Sequence, residues 1–518
     1  MSAAYAETIP AAQPFASARA HGEELERTLS GEAMLRAEHS DVELLIAKSG
    51  REWARLMLEG QFALRSELEK FVEVVGADGA ERTRAKNSER HLETVVGNIV
   101  VPRIAYQAVG CEDLHPMDAA LNLPAELFSH GLRRMVAKEI GRASFDEVVE
   151  LIGDYSGAQI AKRQVEQLAL RAARDFDAFY DGQQRVAEAT DDLLVLSTDG
   201  KGIVMRHEDL REATRQAAEQ KVNKLETRLS PGEKADRKRM AQVCAVYSVE
   251  RWIRSAADVM HGMHDEEKES KRPRPHDKRV WASVVKQSRK VIRQAFEEAG
   301  RRDPDHLRRW VVLVDGEPRQ LKAVKAEAKR AGAQVTILLD IVHVLEYLWL
   351  AGRALFGGNT VETEAWVGDR LLALLSGRSG GYVAATIRWW AESRKAQLDE
   401  AGHKAIAKAC RYLADRTRTR LMHYAEALRD GLPIATGVIE GVCRYLVKDR
   451  MDRTGACWSL EGAEAVLQLR ALRASGDFNE YWKLHVVREK ERVHSTRYAG
   501  GRIPSPFPVR RPTLRRIK

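Results

Sequence analysis

The chain changes its hydrophobic rhythm several times, and each change marks an expected element. From Gly22 to Glu73 the apolar residues Leu44, Leu45, Trp53, Leu56, Met57, Phe62 and Leu64 recur at helical spacing among many charges, which predicts a helical segment suited to a coiled-coil or dimer role. His91 to Tyr106 reads as two β-rich runs about a Gly97-Asn98 turn. Ser144-Phe-Asp-Glu147 is a capping box opening a helix whose apolar face is Phe145, Val148, Val149 and Ile152, with Gly153 at its end. Ser156-Gly-Ala-Gln159 reads as a second such box, with Ala161, Val165, Leu168 and Ala172 lining the helix after it. Two short helices around a tight turn make a helix-turn-helix candidate whose outer face carries Gln159, Lys162, Arg163 and Gln167, and an ordinary helical hairpin fits the same pattern.

Beyond Asp191 the period changes from helix to strand. Leu193 to Asp199 and Gly200 to Met205 predict two strands joined tightly through Gly200 and Gly202, and Met240 to Val249 a third. Trp310 to Asp315 is almost wholly apolar, as a buried central strand is, and Ala333 to Asp340 is the fifth strand. The short connections make the first three antiparallel, while the last two need crossovers. Val342 to Arg429 is again helical, with Trp349, Trp366, Trp389 and Trp390 on its turns and Pro433 closing it. Thr436 is placed to cap a further helix with an apolar stripe of Ile439, Val442, Cys443 and Leu446, and Glu440 sits at the stripe's edge.

The expected organisation follows. Residues 1–21 are disordered, 22–182 form a mainly helical N-terminal region with a small hairpin, and 190–345 with 431–475 form a mixed α/β core. A helical insertion covers 346–430. Residues 476–518 are a basic tail, of which the part from Arg497 to Lys518 is Pro- and Arg-rich without one acid and is expected to be disordered and DNA-associated.

Composition narrows the class. At 518 residues and 44% hydrophobic content there is material for more than one core. Lys plus Arg number 84 against 75 Asp plus Glu, a net charge of +9, which favours an anionic partner such as nucleic acid over an acidic small substrate. The five cysteines, Cys111, Cys244, Cys410, Cys443 and Cys457, form no CxxC pair and are odd in number, so they read as reduced thiols and not as a zinc site. The start lacks the features of a signal peptide, and the most apolar stretch, Thr336 to Ala351, is broken by Asp340, His343 and Glu346. A cytoplasmic location and no membrane partner are therefore expected.

The candidate chemistry lies in carboxylates. Asp199 and Asp315 each end an apolar strand and are followed at once by Gly, so both emerge where a strand stops and a loop opens. Two hard oxygen ligands on neighbouring strands suit Mg²⁺, and a third carboxylate from a nearby helix would allow a second ion. Each residue also has a plainer reading: a strand-end Asp-Gly is commonly a turn, and Glu440 can pair with Arg444 one turn later.

The segments Ser197-Thr-Asp-Gly200, Val312-Leu-Val-Asp-Gly316 and Ile434-Ala-Thr-Gly-Val-Ile-Glu-Gly441, followed by Arg450 to Trp458 and Gly462 to Ala471, resemble the transposases of bacterial insertion sequences of the ISKra type. The resemblance runs from about Gly22 to Arg473. It implies a ribonuclease-H-like core preceded by a DNA-binding region, with Asp199, Asp315 and Glu440 as catalytic and metal-binding residues on the first strand, the fourth strand and a late helix. It further implies two Mg²⁺ or Mn²⁺ ions, double-stranded DNA (element ends and target) as partner, a homo-oligomer of at least two protomers, and a place beside the bacterial nucleoid. Asp340-Ile-Val-His343 resembles the Cys-or-Asp, two residues, His element of the wider Mutator-like group. His343 then has a use in contacting a DNA phosphate or orienting the site, against a packed or capping role. Trp458 has one in stacking on an extruded base, against anchoring a core.

Lys201, Arg450 and Arg453 flank the proposed site as phosphate contacts, and the basic stretch Lys271 to Arg279 reads as a loop touching DNA. The expected activity is metal-dependent DNA cleavage and strand transfer. The alternatives are a nuclease on the same core that cuts without joining and a non-catalytic helix-turn-helix regulator. A carbohydrate hydrolase fits less well, because three acids in basic surroundings suit phosphodiesters better than sugars.

Overall fold

A computed structural model of the chain describes residues 14–184, 190–220, 237–262, 272–453 and 455–507. They fall into two units, one built from the chain's beginning and end (Met1–Tyr180 with Phe478–Lys518) and one from its middle (Asp181–Asp477).

In the first unit the helical start has two main parts, Ala16–Leu29 and the 30-residue helix His39–Leu68. The earlier of these begins inside the stretch expected to be disordered. Pro14 and Phe15 lie so close over Gly60 of the long helix that a side chain there would collide with them, and Ala18 is fully buried. β1 (Arg84–Thr94) and β2 (Gly97–Gln107) form the expected hairpin, but Thr94 pairs with Gly97, so the two-residue turn is Val95-Val96 and not Gly97-Asn98. Gly97, at φ 115°, is the first residue of the returning strand.

Three helices, His130–Ile140, Phe145–Ser156 and Lys162–Ala173, then pack on one another. The Ser144–Glu147 capping box is present as read, yet the helix runs on to Ser156 and ends at Gly157, whose positive φ supplies the left-handed cap that Gly153 does not. The next helix starts at Lys162, so Gln159 belongs to the turn. Here Gln164 bonds back to the Ala161 amide, and Ser156 instead donates to Ile152.

The end of the chain is the clearest departure from the expected tail. Phe478–Val493 is a helix with Tyr481, Trp482, His485 and Glu489 buried. It is tied to the rest of its unit through hydrogen bonds and ion pairs across the whole sequence: His485 and Arg492 reach Asp175 at 2.7 and 2.9 Å, and Arg133 reaches Glu489 at 3.2 Å. A run of basic residues looks like a tail until the acids that receive them, some 310 residues away, are in view. Residues 508–518 lie outside the described set.

The second unit is a five-stranded mixed sheet with helices around it. Its strands are β3 (Leu193–Val204), β4 (Lys238–Val249), β5 (His276–Ser283), β6 (Trp310–Val314) and β7 (Val335–Leu339), in the spatial order β5-β4-β3-β6-β7. β3, β4 and β5 are antiparallel neighbours, and β6 and β7 run parallel to β3 and to each other. β3 is one strand, not the two expected. Gly200 and Gly202 have no positive φ, and all twelve residues from Leu193 to Val204 pair with β4. β5 has no counterpart among the expected strands, and its first residues fall in the stretch expected to be a DNA-touching loop. Arg279 is buried there, 2.7 Å from Glu298 of the helix Ser288–Arg302, while Lys271 lies outside the described residues.

Between β7 and Pro433 the chain is helical as expected, chiefly in Ile341–Phe356, Val361–Leu375, Gly380–Ser393 and Glu400–Arg418. The helix Leu460–Ala474 closes the other edge of the sheet, where Glu464 accepts hydrogen bonds from Ser283 and from the amides of Val284 and Val285. No helix among the described residues is long and apolar enough to cross a membrane.

Candidate active site

The sheet brings two of the predicted carboxylates together through its backbone. From Leu194↔Trp310 to Ser197↔Leu313 the parallel pairing of β3 with β6 keeps a constant offset, 310 − 194 = 116. The separation of the two aspartates is the same, 315 − 199 = 116, so continuing the register by two residues sets Asp199 opposite Asp315. Paired residues of neighbouring strands point to the same face. Asp199 is not at a strand end, as the sequence suggested, but inside β3 at the level where the shorter β6 stops. Asp315 is held in the turn that follows, where its Oδ1 accepts from the Glu317 amide at 2.8 Å and Gly316 takes φ +86°. From the helical insertion the Tyr412 hydroxyl donates to the Asp315 carbonyl at 3.1 Å, and its ring stacks on Tyr347 at 3.8 Å.

The same arithmetic reaches a third aspartate. β6 pairs with β7 at an offset of 25, and Asp340 follows Asp315 by 25. Asp340 is wholly buried and caps the helix Ile341–Phe356: Oδ1 accepts from the Val342 amide at 2.9 Å and Oδ2 from the Thr436 hydroxyl. Thr436 was expected to cap the helix Gly437–Val442 with its side chain. It stands at the N-cap position, but its hydroxyl goes to Asp340 instead. That bond fastens the start of the helix carrying Glu440 to the end of β7.

The Glu440 helix has the predicted stripe, with Ile439, Val442, Cys443 and Leu446 buried and Glu440 exposed. Its next turn, Cys443–Lys448, is a π-helix, a form frequent at functional sites. Arg470 meets two carbonyls of this wide turn, donating to Leu446 at 2.7 Å and to Tyr445. The turn places the Cys443 thiol 3.3 Å from Asp199 Oδ2, as donor. Arg444, the plain ion-pair partner considered for Glu440, lies 4.0 Å from Asp449.

The charges in this cluster affect one another. Burial raises the Asp315 carboxyl above its usual range, and the negative charge of Asp199 raises it further. Burial likewise pushes Asp340 up to about 6. His343 sits in the first turn of the Ile341–Phe356 helix, 3.3 Å from Glu346. Burial works against its charge, yet Asp340 and Glu346 hold its pKa above the ordinary imidazole value. Burial and the neighbouring Asp199 keep the Cys443 thiol protonated far above neutral pH.

The remaining predicted contacts divide by exposure. Gln159, Lys162, Arg163 and Arg453 are exposed, Lys201 and His343 half-buried. Gln159, Lys162 and Arg163 belong to the first unit, and Lys162 pairs with Asp146 at 2.7 Å. Arg450 and Trp458 are buried. The Arg450 guanidinium lies 4.7 Å from the centre of the Trp458 ring, and the indole N–H donates to the Met451 carbonyl at 2.9 Å. As placed, Trp458 anchors a core and offers no free face to a base. Local reading had no sign of the Cys443–Asp199 contact or of the π turn. The placing of Asp340 had one faint signal, since Trp310–Val314 and Val335–Leu339 are both mainly apolar five-residue runs followed by Asp.

Among the described residues no three carboxylate, imidazole or thiol groups converge closely enough to hold an ion. The facing pair still fits a hard divalent cation. It offers oxygen donors only, and the Asp315 carboxyl, raised by burial and further by the charge of Asp199, is one whose ionised form a bound cation would favour. Compared with known proteins, the chain matches no family model and no curated sequence.

Proposed function

We propose that this chain is a DNA transposase with a ribonuclease-H-like core, which cuts DNA strands and joins the freed ends to a target using Asp199, Asp315 and Glu440. The observation that carries the reading is the shared offset of 116, which sets two acids side by side at the level where β6 ends. The strand order, with three antiparallel strands and then two parallel ones, supports such a core, and the acids lie on its first strand, in the turn directly after its fourth strand and on a later helix, close to what the resemblance implies. The net charge of +9 supports a polyanionic substrate.

In this reading Asp199 and Asp315 hold Mg²⁺ or Mn²⁺ and Glu440 completes the set. Bound there, a pair of ions supplies activation of the attacking oxygen and charge stabilisation at the leaving oxygen of an in-line displacement. The protein's own part is positional. The Glu317 amide fixes the Asp315 carboxylate, the Cys443 thiol fixes that of Asp199, and the Asp340–Thr436 bond sets where the Glu440 helix begins. No side chain has to become covalently attached to DNA.

The test is incubation of purified protein with labelled element-end DNA and Mg²⁺ or Mn²⁺, beside Asp199→Ala, Asp315→Ala and Glu440→Ala. Metal-dependent cutting and joining, lost in all three variants while binding is kept, supports the proposal, and DNA trapped covalently on the protein overturns it. Cutting without joining points to a nuclease on the same core. A second reading, a non-catalytic DNA-binding regulator, draws on the three packed helices of the first unit and on the three donors that do not converge. It requires Asp199→Ala to change nothing.

A further inference from the structure

Directly along β3 from Asp199 lies a polar cleft of about 350 Å³, lined by Gly200, Lys201, Gly202, Lys238 and Lys448, with Asp452 its one acidic residue. Sequence reading picked out only Lys201 among these lysines. The other two come from distant places, Lys238 from the first residue of β4 and Lys448 from the last residue of the π turn whose first residue, Cys443, touches Asp199. None of the three ammonium groups has an ion-pair or hydrogen-bond partner among the described residues.

The floor of the cleft is main chain. β6 pairs with β3 only as far as Ser197↔Leu313, and among the described residues the backbone of β3 is met again on that side only at Val204, whose carbonyl accepts from the Trp458 amide at 3.0 Å. Along a strand, alternate amides point to the same edge. The alternation that turns the Leu194 amide to the Arg309 carbonyl therefore turns the Gly202 amide to this uncovered edge, past the end of β6. A side chain at Gly202 would press on Lys238 at 2.9 Å, so the glycine leaves Lys238 its place. Three cationic side chains and an outward backbone N–H around a small polar hollow match a phosphate group: a tetrahedral anion with several acceptor oxygens.

We infer that this cleft holds the sugar-phosphate backbone of a DNA strand one or two phosphates away from the position facing Asp199 and Asp315, so that Lys201, Lys238 and Lys448 set the strand's register in the site. The lysines are positioning residues. They read no sequence, because phosphate contacts carry none. The inference rests on the proposal that this site works on DNA, but not on the chemistry done there.

The test uses the full chain, with duplex DNA binding measured in EDTA over a salt series, beside Lys201→Gln, Lys238→Gln, Lys448→Gln and the triple variant. Each lost phosphate contact lowers the slope of log K against log salt by about 0.9. The expected result is a loss near that size for the triple variant and a smaller one for each single variant, with Lys→Arg at the same positions restoring it. Unchanged slopes, in variants whose unfolding midpoints match the parent, overturn the inference. Inorganic phosphate provides the second arm: if the triple variant loses phosphate binding but keeps the full DNA slope, the cleft serves a free anion and the inference fails. Strand cutting is scored separately with Mg²⁺, so reduced slopes in a protein that never cuts DNA would sustain the cleft while removing the catalytic proposal.

Discussion

The two sides of the candidate site are held by different means. Asp199 and Asp315 are positioned by main chain, since the β3–β6 register, run on two residues past its last pair, brings them level, and a slip of one residue would shift that alignment. Glu440 is positioned by side chains: the Thr436 hydroxyl on Asp340, the Cys443 thiol on Asp199 and the Arg470 guanidinium on the π turn. Backbone register moves only in whole residues, whereas a helix hung on a few polar contacts shifts by fractions of an ångström when one is altered. The sheet pair is therefore the rigid part, and drawing a third oxygen in beside it falls to the helix.

The largest expected effect tests whether both sides serve one chemistry. Asp315→Asn and Glu440→Gln should each lower single-turnover strand cutting by about a thousandfold or more, roughly 4 kcal/mol of transition-state stabilisation. DNA affinity measured in EDTA should stay close to that of the parent. If only the sheet variant loses activity, Glu440 is not part of the site.

Next comes the support of the sheet itself. Glu298 is fully buried between Arg279 of β5 and Arg302, at 2.7 and 2.8 Å. Glu298→Leu leaves buried guanidinium groups without their counter-charge and should destabilise the second unit by roughly 3–5 kcal/mol in urea unfolding. A change near zero would mean that this network does not brace β5.

A smaller effect should appear on the helix side, and it separates positioning from stability. Thr436→Val deprives buried Asp340 of a donor and should cost about 1–3 kcal/mol. Cutting should fall by roughly 10–100-fold, as when an outer partner of a ligand is lost. Thr436→Ser, which keeps the hydroxyl, should restore both. Loss of stability with unchanged cutting would show that the bond does not place Glu440.

The smallest effect is in pH dependence. Burial raises Asp340 from its ordinary 3.8 to about 6 in the fold. The folded state therefore binds that proton more tightly, and the stability it contributes is present in full below pH 3.8 and is lost as pH rises through about 6. Relative to Asp340→Asn, the parent should lose stability between those two values and show no further difference above them, as read from urea midpoints at pH 4.5, 5.5 and 7. Parallel curves would remove Asp340 as the titrating group.

Much of this arrangement was legible locally because it rests on local causes. The apolar run Trp310–Val314 is a buried strand and is read as one, and the Ser144–Glu147 box opens a helix because its own side chains satisfy its first amides. β5 escaped notice because its core is only Val280-Trp281-Ala282 and its charged entry is neutralised by Glu298, nineteen residues further on. The division of β3 into two strands came from reading Gly200 and Gly202 as a turn, when continuous pairing with β4 holds both glycines extended. The expected tail failed for the same reason on a larger scale: the partners of its helix are Asp175 and Arg133.

By itself the sequence determined which segments are strands and helices wherever periodicity and capping decide the matter, and it supplied the three acids with a spacing of 116 between the first two. It left open what that spacing means, because a number of residues becomes a distance only once two strands share a register. The tertiary structure decided that register, carried the hydroxyl of Thr436 away from its own helix to Asp340, and gathered Lys201, Lys238 and Lys448 around the open edge of β3. Each of these joins groups far apart in the chain, and no local pattern of apolar and polar residues encodes which distant partner a polar side chain will meet.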